Sequence, residues 1–396
     1  MTEGVVMIRA GREKPIRQGH PWVFSGAVDK TQGAASGGLV TLVTHDNAFL
    51  ARGYWNAKSQ IQMRVLTWQD EAIDEGWWRR MLARALAARF SQPQAGGGRR
   101  IVNAENDYLP GLIVDLYDDF LVLQALTLYI DEQKALLARL LAEVFAAAGL
   151  SLRGIYERSD VDVRGKEGLR AAAGALWGAE PPEQIVFTDN GLARLVNVRD
   201  GHKTGYYLDQ LDNHRLLAAL TADAPADARL LNLFSYSGGF GLGVGGEVVN
   251  VDASREALRL AEDTCRANSR PAPTNIQADA FQYLREAAAA GERFDAIVCD
   301  PPKFAHAQQQ VDRAARGYKD LNLHCFRLLK PGGWLLTFSC SGAISADLFQ
   351  KIVFGALADS GRQAQILAHL GPGSDHPVAL TFPEGAYLKG LLLRVY

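Results

Sequence analysis

Two short stretches of this chain carry groups able to do chemistry. In Phe338-Ser339-Cys340-Ser341 a thiol stands between two hydroxyls at the end of an apolar run, and in Asp300-Pro301-Pro302-Lys303-Phe304 a carboxylate precedes two prolines. A thiolate is a nucleophile that can carry a covalent intermediate. The competing reading of any cysteine is a small core residue, but two flanking serines suit the lip of a polar site better than a core. Two consecutive prolines fix a rigid, extended turn, able to hold a planar ring against Phe304 and present Asp300 to that ring's edge.

A third stretch, Asn232-Leu-Phe-Ser-Tyr-Ser-Gly-Gly-Phe-Gly241, follows an apolar run and brings Phe234, Ser235, Gly238 and Gly239 to its end. Glycines there permit a tight turn and close approach of backbone to a ligand. Asp252, fourteen residues past Gly238, closes the next run, where a carboxylate can accept hydrogen bonds from both hydroxyls of a ribose. Asp279 follows a third. Turn glycines and helix caps would explain each feature singly; their order points to a nucleoside cofactor.

These groups need a sheet to hold them. From residue 184 short apolar runs (229–234, 247–252, 294–300, 334–340) alternate with segments of helical period such as 254–269 and 318–329. That alternation predicts a mostly parallel sheet covered by helices, with ligands bound beyond the carboxyl ends of the strands. Residues 1–70 instead hold short strand-like stretches separated by Gly, Asn and Asp turns, and read as a β-rich domain. Residues 71–183 read as a small α+β domain, with an amphipathic helix ending near Gly149, a breaker at 91–98 and a linker at Pro181-Pro182.

Composition is that of a globular protein of two or three domains: 396 residues, 48% hydrophobic and 22% charged. The N-terminus lacks the pattern of a secretory signal and no run is long enough to span a bilayer, so a cytoplasmic location is expected, without a membrane partner. Cys265, Cys299, Cys325 and Cys340 show neither CxxC pairing nor metal-ligand spacing, so no metal is expected. Cys265, Cys299 and Cys325 are assigned to packing. The net charge of −2 conceals an excess of +4 over residues 1–68, a mild field able to attract an RNA backbone.

The series LFSYSGGFG, VVNVDAS, QADAF, CDPPKF and LLTFSCS resembles the class I S-adenosylmethionine-dependent RNA methyltransferases. With GHPWVFSGAV (19–28), GHKTGYYLDQ (201–210), RGYKDLN (316–322) and the tail DHPVALTFPEGAYLKG, nearly the whole chain resembles the bacterial cytosine-C5 methyltransferases of large-subunit ribosomal RNA. The resemblance implies an N-terminal PUA-like barrel, a central α+β domain and a C-terminal Rossmann-like domain. It also implies S-adenosylmethionine as cofactor and large-subunit ribosomal RNA as partner; a homodimer is left open. Cys340 matches the family's sixth-motif cysteine, the candidate nucleophile toward cytosine C6. Asp300 is the candidate for binding the N3 and amino edge of the base. Phe234, Ser235, Gly238, Gly239, Asp252, Asp279, Asp300 and Pro301 are expected around the cofactor, and Lys203, Tyr207, Pro302, Lys303, Phe304 and Lys319 around the RNA.

Two departures stand out. Many RNA cytosine-C5 methyltransferases carry a second cysteine where this chain has Lys303, so the base that removes the C5 proton is not named by the sequence. Between SYSGGFG and VVNVD only LGVGGE remains, a glycine-rich segment unsuited to a full helix. Three other readings follow: methylation of an exocyclic base amine, which does not need Cys340; an RNA-binding assembly factor with weakened catalysis; and a dehydrogenase, which leaves the Pro-Pro turn without a purpose.

Overall fold

The computed structural model describes residues 4–90, 97–305 and 307–396, so most of the breaker at 91–98 lies outside the described residues. The chain forms two compact units. One comprises Met1–Thr188, Val196–Leu208 and Asp375–Gly385, the other Asp189–Leu195, Asp209–Ser374 and Ala386–Tyr396.

The first unit holds two sheets. β1 (Gly4–Ile8), β2 (Trp22–Phe24), β3 (Val28–Gln32), β4 (Leu39–Val43), β5 (Phe49–Trp55) and β6 (Ile61–Thr67) form one in the order β2-β6-β5-β4-β1-β3, with α1 (Lys14–Arg17) between its first two strands. Val6, Val23, Val40, Leu42, Met63 and Val65 bury its inner face. β7 (Gly98–Asn103), β8 (Leu112–Tyr117), β9 (Phe120–Ala125), β10 (Gly154–Arg158) and β11 (Ala173–Gly178) form the other, in the order β11-β10-β9-β8-β7. α2 (Glu75–Arg89) and α3 (Leu128–Ala147) cover it with the apolar faces that their periodicity predicts, through Trp78, Leu82, Leu137 and Leu141. Asp74 caps α2 by accepting the Trp77 amide. The chain then runs through β12 (Ile185–Asp189) and β13 (Leu192–Val196) into the second unit.

That second unit is a seven-stranded sheet of β14 (Arg229–Leu233), β15 (Glu247–Asp252), β16 (Thr274–Gln277), β17 (Phe294–Cys299), β18 (Leu329–Ser339), β19 (Ala364–Leu370) and β20 (Lys389–Val395). Its order is β16-β15-β14-β17-β18-β20-β19; the first five strands run parallel, and β20 pairs antiparallel with both β18 and β19. This is the mostly parallel sheet that the alternation of elements predicts, in the Rossmann-like arrangement that the resemblance implies. The order reverses between β14 and β17, which opens a crevice at their carboxyl ends. α4 (Leu211–Leu220) precedes β14, while α5 (Arg255–Ala267), α6 (Ala280–Ala289), α7 (Val311–Leu328) and α8 (Ala346–Ser360) connect or flank the later strands. Strands buried on both faces need continuous apolar runs. Leu231, Ile297, Leu335 and Leu393 serve one face; Leu230, Val298, Leu336 and Leu392 serve the other.

One polar row interrupts this core. Asn232 donates to Asn250 at 3.0 Å, Asn250 to Asn275 at 3.1 Å, and Asn275 to the Leu258 carbonyl at 2.9 Å. The three asparagines are register partners on β14, β15 and β16. Asn232 and Asn250 each find their acceptor on the adjacent strand, so a slip of register would leave both unpaired.

Candidate active site

At the end of β14 the backbone enters the left-handed region three times within five residues: φ is +55° at Phe234, +46° at Tyr236 and +74° at Gly238. Side chains at Phe234 and Tyr236 make that conformation costly, on the order of 1–3 kcal/mol each. At Gly238 a Cβ would lie 2.9 Å from the Ala261 Cβ and 3.3 Å from Asn250 Nδ2, so glycine is required by shape as well as by φ. The short segment that follows folds as successive turns rather than a helix, with Gly241 and Leu242 both donating to the Gly238 carbonyl. Arg194, itself paired with Asp189, donates to the Gly239 carbonyl.

Asp252 ends β15 beside this loop. Its two oxygens accept the amides of Tyr236 and Ser254, each at 2.8 Å, which fixes the carboxylate while leaving it half-buried. The Ser235 hydroxyl is buried with no partner among the described residues. A hydroxyl so enclosed costs free energy until something bonds it. A fixed acid, an unsatisfied hydroxyl and a side-chain-free backbone turn fit the ribose and amino-acid parts of S-adenosylmethionine. Asp279 lies two residues past β16, is exposed, and caps α6 by accepting the Gln282 amide at 3.0 Å.

Across the crevice, Asp300 follows β17 and accepts a hydrogen bond from Gln210 Nε2 at 2.9 Å. Gln210 is buried, and Asn213 donates to both its side-chain oxygen (2.6 Å) and the Gly371 carbonyl (3.0 Å). Pro301 is buried; Pro302 and Lys303 are exposed. Phe304 is turned against Tyr318, ring centroids 4.8 Å apart, and against Phe281.

Cys340 follows β18, half-buried, with its Sγ 3.9 Å from the Pro301 carbonyl oxygen. The two flanking hydroxyls are fully enclosed. Tyr318 of α7 spans them: Ser339 donates to its hydroxyl at 2.9 Å, and its oxygen lies 3.0 Å from Ser341 Oγ. Ser341 Oγ also accepts the amides of Phe304 and Ala305, at 3.1 and 3.2 Å. The serines therefore tie the Asp-Pro-Pro turn to the cysteine-bearing strand. Burial raises the Tyr318 phenol above its ordinary range, against the pull of both serines. Cys299, one residue before Asp300, is fully buried, and a hydrogen bond with the free thiol of Cys325 together with burial pushes its own thiol far up. It is packed away from solvent, whereas Cys340 is half-buried.

The structure thus gathers Phe234, Ser235, Gly238, Gly239, Asp252, Asp300, Pro301 and Cys340 around neighbouring strand ends. Lys319 takes another place: it pairs with Asp359 of α8 at 2.7 Å, because a helix that turns Tyr318 toward the serines turns its neighbour about 100° away. Lys203 and Tyr207 belong to the first unit, where the Lys203 ammonium sits 4.2 Å above the Tyr207 ring, at a residue with φ of +54°. Three participants were not singled out from sequence: Gln210, Tyr318 and Lys389. Burial pushes the Lys389 amine down to about 8, opposed by the nearby Cys340 and reinforced by Lys303.

Residues 6–68 match a PUA-like domain, and residues 161–391 match the S-adenosylmethionine-dependent methyltransferase family. A protein of Aeromonas salmonicida named ribosomal RNA large subunit methyltransferase I is 44% identical over 394 residues, covering 97% of each chain. The protein of the same name from Shewanella amazonensis is 45% identical over 401 residues and 99% of each chain. A solved SAM-dependent methyltransferase structure from Streptococcus mutans covers 98% of this chain and 99% of its own, with a TM-score of 0.82 at 20% identity, a likeness of fold. A methyltransferase complexed with SAH matches over the same shares with the same score and identity.

Proposed function

Given that the chain belongs to the S-adenosylmethionine-dependent ribosomal RNA large subunit methyltransferases, we propose that it methylates C5 of a cytosine in that RNA through a covalent bond between Cys340 and C6. The observation that carries this reading is the seating of Cys340: its sulfur lies against the Pro301 carbonyl, one residue from Asp300, between serines locked by Tyr318.

When bound, S-adenosylmethionine supplies a methyl group on a positively charged sulfur, open to attack by an electron-rich carbon. Ser235, the Gly238 turn and Asp252 would hold it. Cytosine C5 is too weak a nucleophile unaided. The Cys340 thiolate adds to C6, forming the S–C6 bond and shifting the C5–C6 electron pair toward C5. Asp300, oriented by Gln210, accepts from the amino group and, in its protonated form, donates to N3, so that a proton is placed where the negative charge of the adduct develops. After methylation, loss of the C5 proton returns an electron pair to the ring and expels the Cys340 sulfur. A base must reach a duplexed or stacked cytosine only after the nucleotide is turned out, so the target is an exposed or flipped base.

The three segments 1–70, 71–183 and 184–396 would divide the work, the PUA-like part gripping folded RNA by charge and shape. A cytoplasmic site of action follows from the ribosomal substrate; among the described residues no helix is long and apolar enough to cross a membrane.

The test is covalent trapping. Wild type and Cys340→Ala are incubated with S-adenosylmethionine and large-subunit RNA containing 5-fluorocytidine, whose fluorine blocks the final step. Wild type alone should stay attached to the RNA. If wild type methylates ordinary RNA yet forms no adduct, the reading fails and exocyclic-amine methylation replaces it.

A further inference from the structure

Lys389 begins β20 directly opposite Ser339 of β18, the residue before Cys340. It is buried, and its nitrogen donates to the carbonyls of Ser341 and Ile344, each at 2.7 Å. Those carbonyls belong to the turn by which the chain leaves Cys340. An ammonium has three donors, so two bonds to carbonyls leave one. Enclosing a lysine is costly unless an anion compensates it, and among the described residues no carboxylate forms an ion pair with Lys389. The group that favours its charged form is Cys340.

The other ionisable groups of this region have partners of their own or carry like charge. Lys303, in the turn after β17, carries like charge and disfavours the Lys389 cation. Tyr318, on α7, is engaged with the two serines. Asp300, at the end of β17, accepts from Gln210, and Asp209 accepts from the Tyr387 hydroxyl.

We propose that Lys389 is a positioning residue for Cys340: through two carbonyls it fixes the turn at 341–344, and as a cation bonded to the residue that follows Cys340 it favours the thiolate. In that ionisation the S–H bond breaks, the electron pair stays on sulfur, and the proton passes to water. A neighbouring cation favours this step because the product is an ion pair rather than an isolated anion. The proposal rests on Cys340 being the nucleophile, and it supplies the activation that the thiol of that reading needs.

The test is the pH profile of Cys340 alkylation by iodoacetamide in the full-length protein, the modified peptide being located by mass mapping. The expected inflection lies at least one pH unit below the value of about 8.5 for an unperturbed thiol. Lys389→Gln keeps two N–H donors but no charge, and should raise the inflection by about a unit and slow alkylation at pH 6.5 about tenfold. Lys389→Arg should retain most of the effect. A wild-type inflection at or above that of an ordinary thiol overturns the proposal without any variant, as does an unchanged profile in a folded Lys389→Gln protein that still binds S-adenosylmethionine. Alkylation needs no RNA, so the outcomes separate: a lowered inflection without fluorocytidine trapping strikes only the cytosine-C5 reading, and trapping with an ordinary inflection strikes only the role of Lys389.

Discussion

On one side of the β14–β17 crevice the strand end is held by backbone: three left-handed residues, one of them a glycine no side chain could replace. On the other they are held by side chains: Tyr318, Ser339, Ser341 and Lys389 fix the turns that carry Asp300 and Cys340. The difference follows from the two tasks. A cofactor that enters and leaves in each cycle is best met by a concave backbone surface with few groups to desolvate. A bond-forming sulfur must be held at one point, and converging hydrogen bonds do that. One half is a cradle, the other a clamp.

If the clamp does the chemistry, the largest effect should come from Cys340→Ala, which should lower methylation by about 10⁴-fold or more while leaving S-adenosylmethionine affinity near wild type. Single-turnover methylation and equilibrium cofactor binding check both parts; loss of binding with loss of rate would erase the division between the halves. Asp300→Asn should cost about 10²–10⁴-fold in rate, the range for a positioned acid or base, as read by the same assay at saturating cofactor. On the cradle side, Asp252→Ala should instead raise the KM for S-adenosylmethionine about 10–100-fold with a smaller change in kcat, the signature of lost uniform binding. A fall in kcat alone would place Asp252 with the clamp.

Stability gives two finer probes of the cradle. Asn250→Ala leaves the Asn232 and Asn275 amides without their partner and should destabilise by about 1–3 kcal/mol in chemical denaturation. The smallest effect concerns His214 of α4, buried edge-on against Phe240 of the glycine-rich turns, ring centroids 4.3 Å apart. Burial holds its imidazole well below the ordinary range. The unfolded chain therefore takes up a proton below about pH 6.5 that the folded chain refuses, so stability should fall as pH drops through that value, by at most about 1.4 kcal/mol per unit. His214→Asn should flatten that slope between pH 6.5 and 5.

The cradle was the easier half to read from sequence. Gly238 and Asp252 are marked by residue type at the ends of apolar runs, and a parallel sheet brings such ends together whatever the intervening lengths. The clamp was harder. Cys340 and the serines stand out locally, but Lys389 reaches them only through the pairing of β20 with β18, a register that one sequence does not display. Tyr318 and Lys319 are adjacent letters with opposite fates, decided by helix phase. The asparagine ladder did leave a signal: Asn232, Asn250 and Asn275 each interrupt a short strand at a matching position, and a buried amide in such a strand demands a neighbour.

The position of Lys389 along the chain sets a clock. It is encoded 49 residues after Cys340, and at roughly 5–20 residues per second a ribosome needs about 2–10 s to make that stretch. Until β20 has emerged and taken its place beside β18, the turn that follows Cys340 lacks the two hydrogen bonds that Lys389 donates to it. If Lys389 acts on Cys340 as proposed, a nascent chain meets ribosomal RNA with that thiol not yet activated, and activation coincides with completion of the sheet.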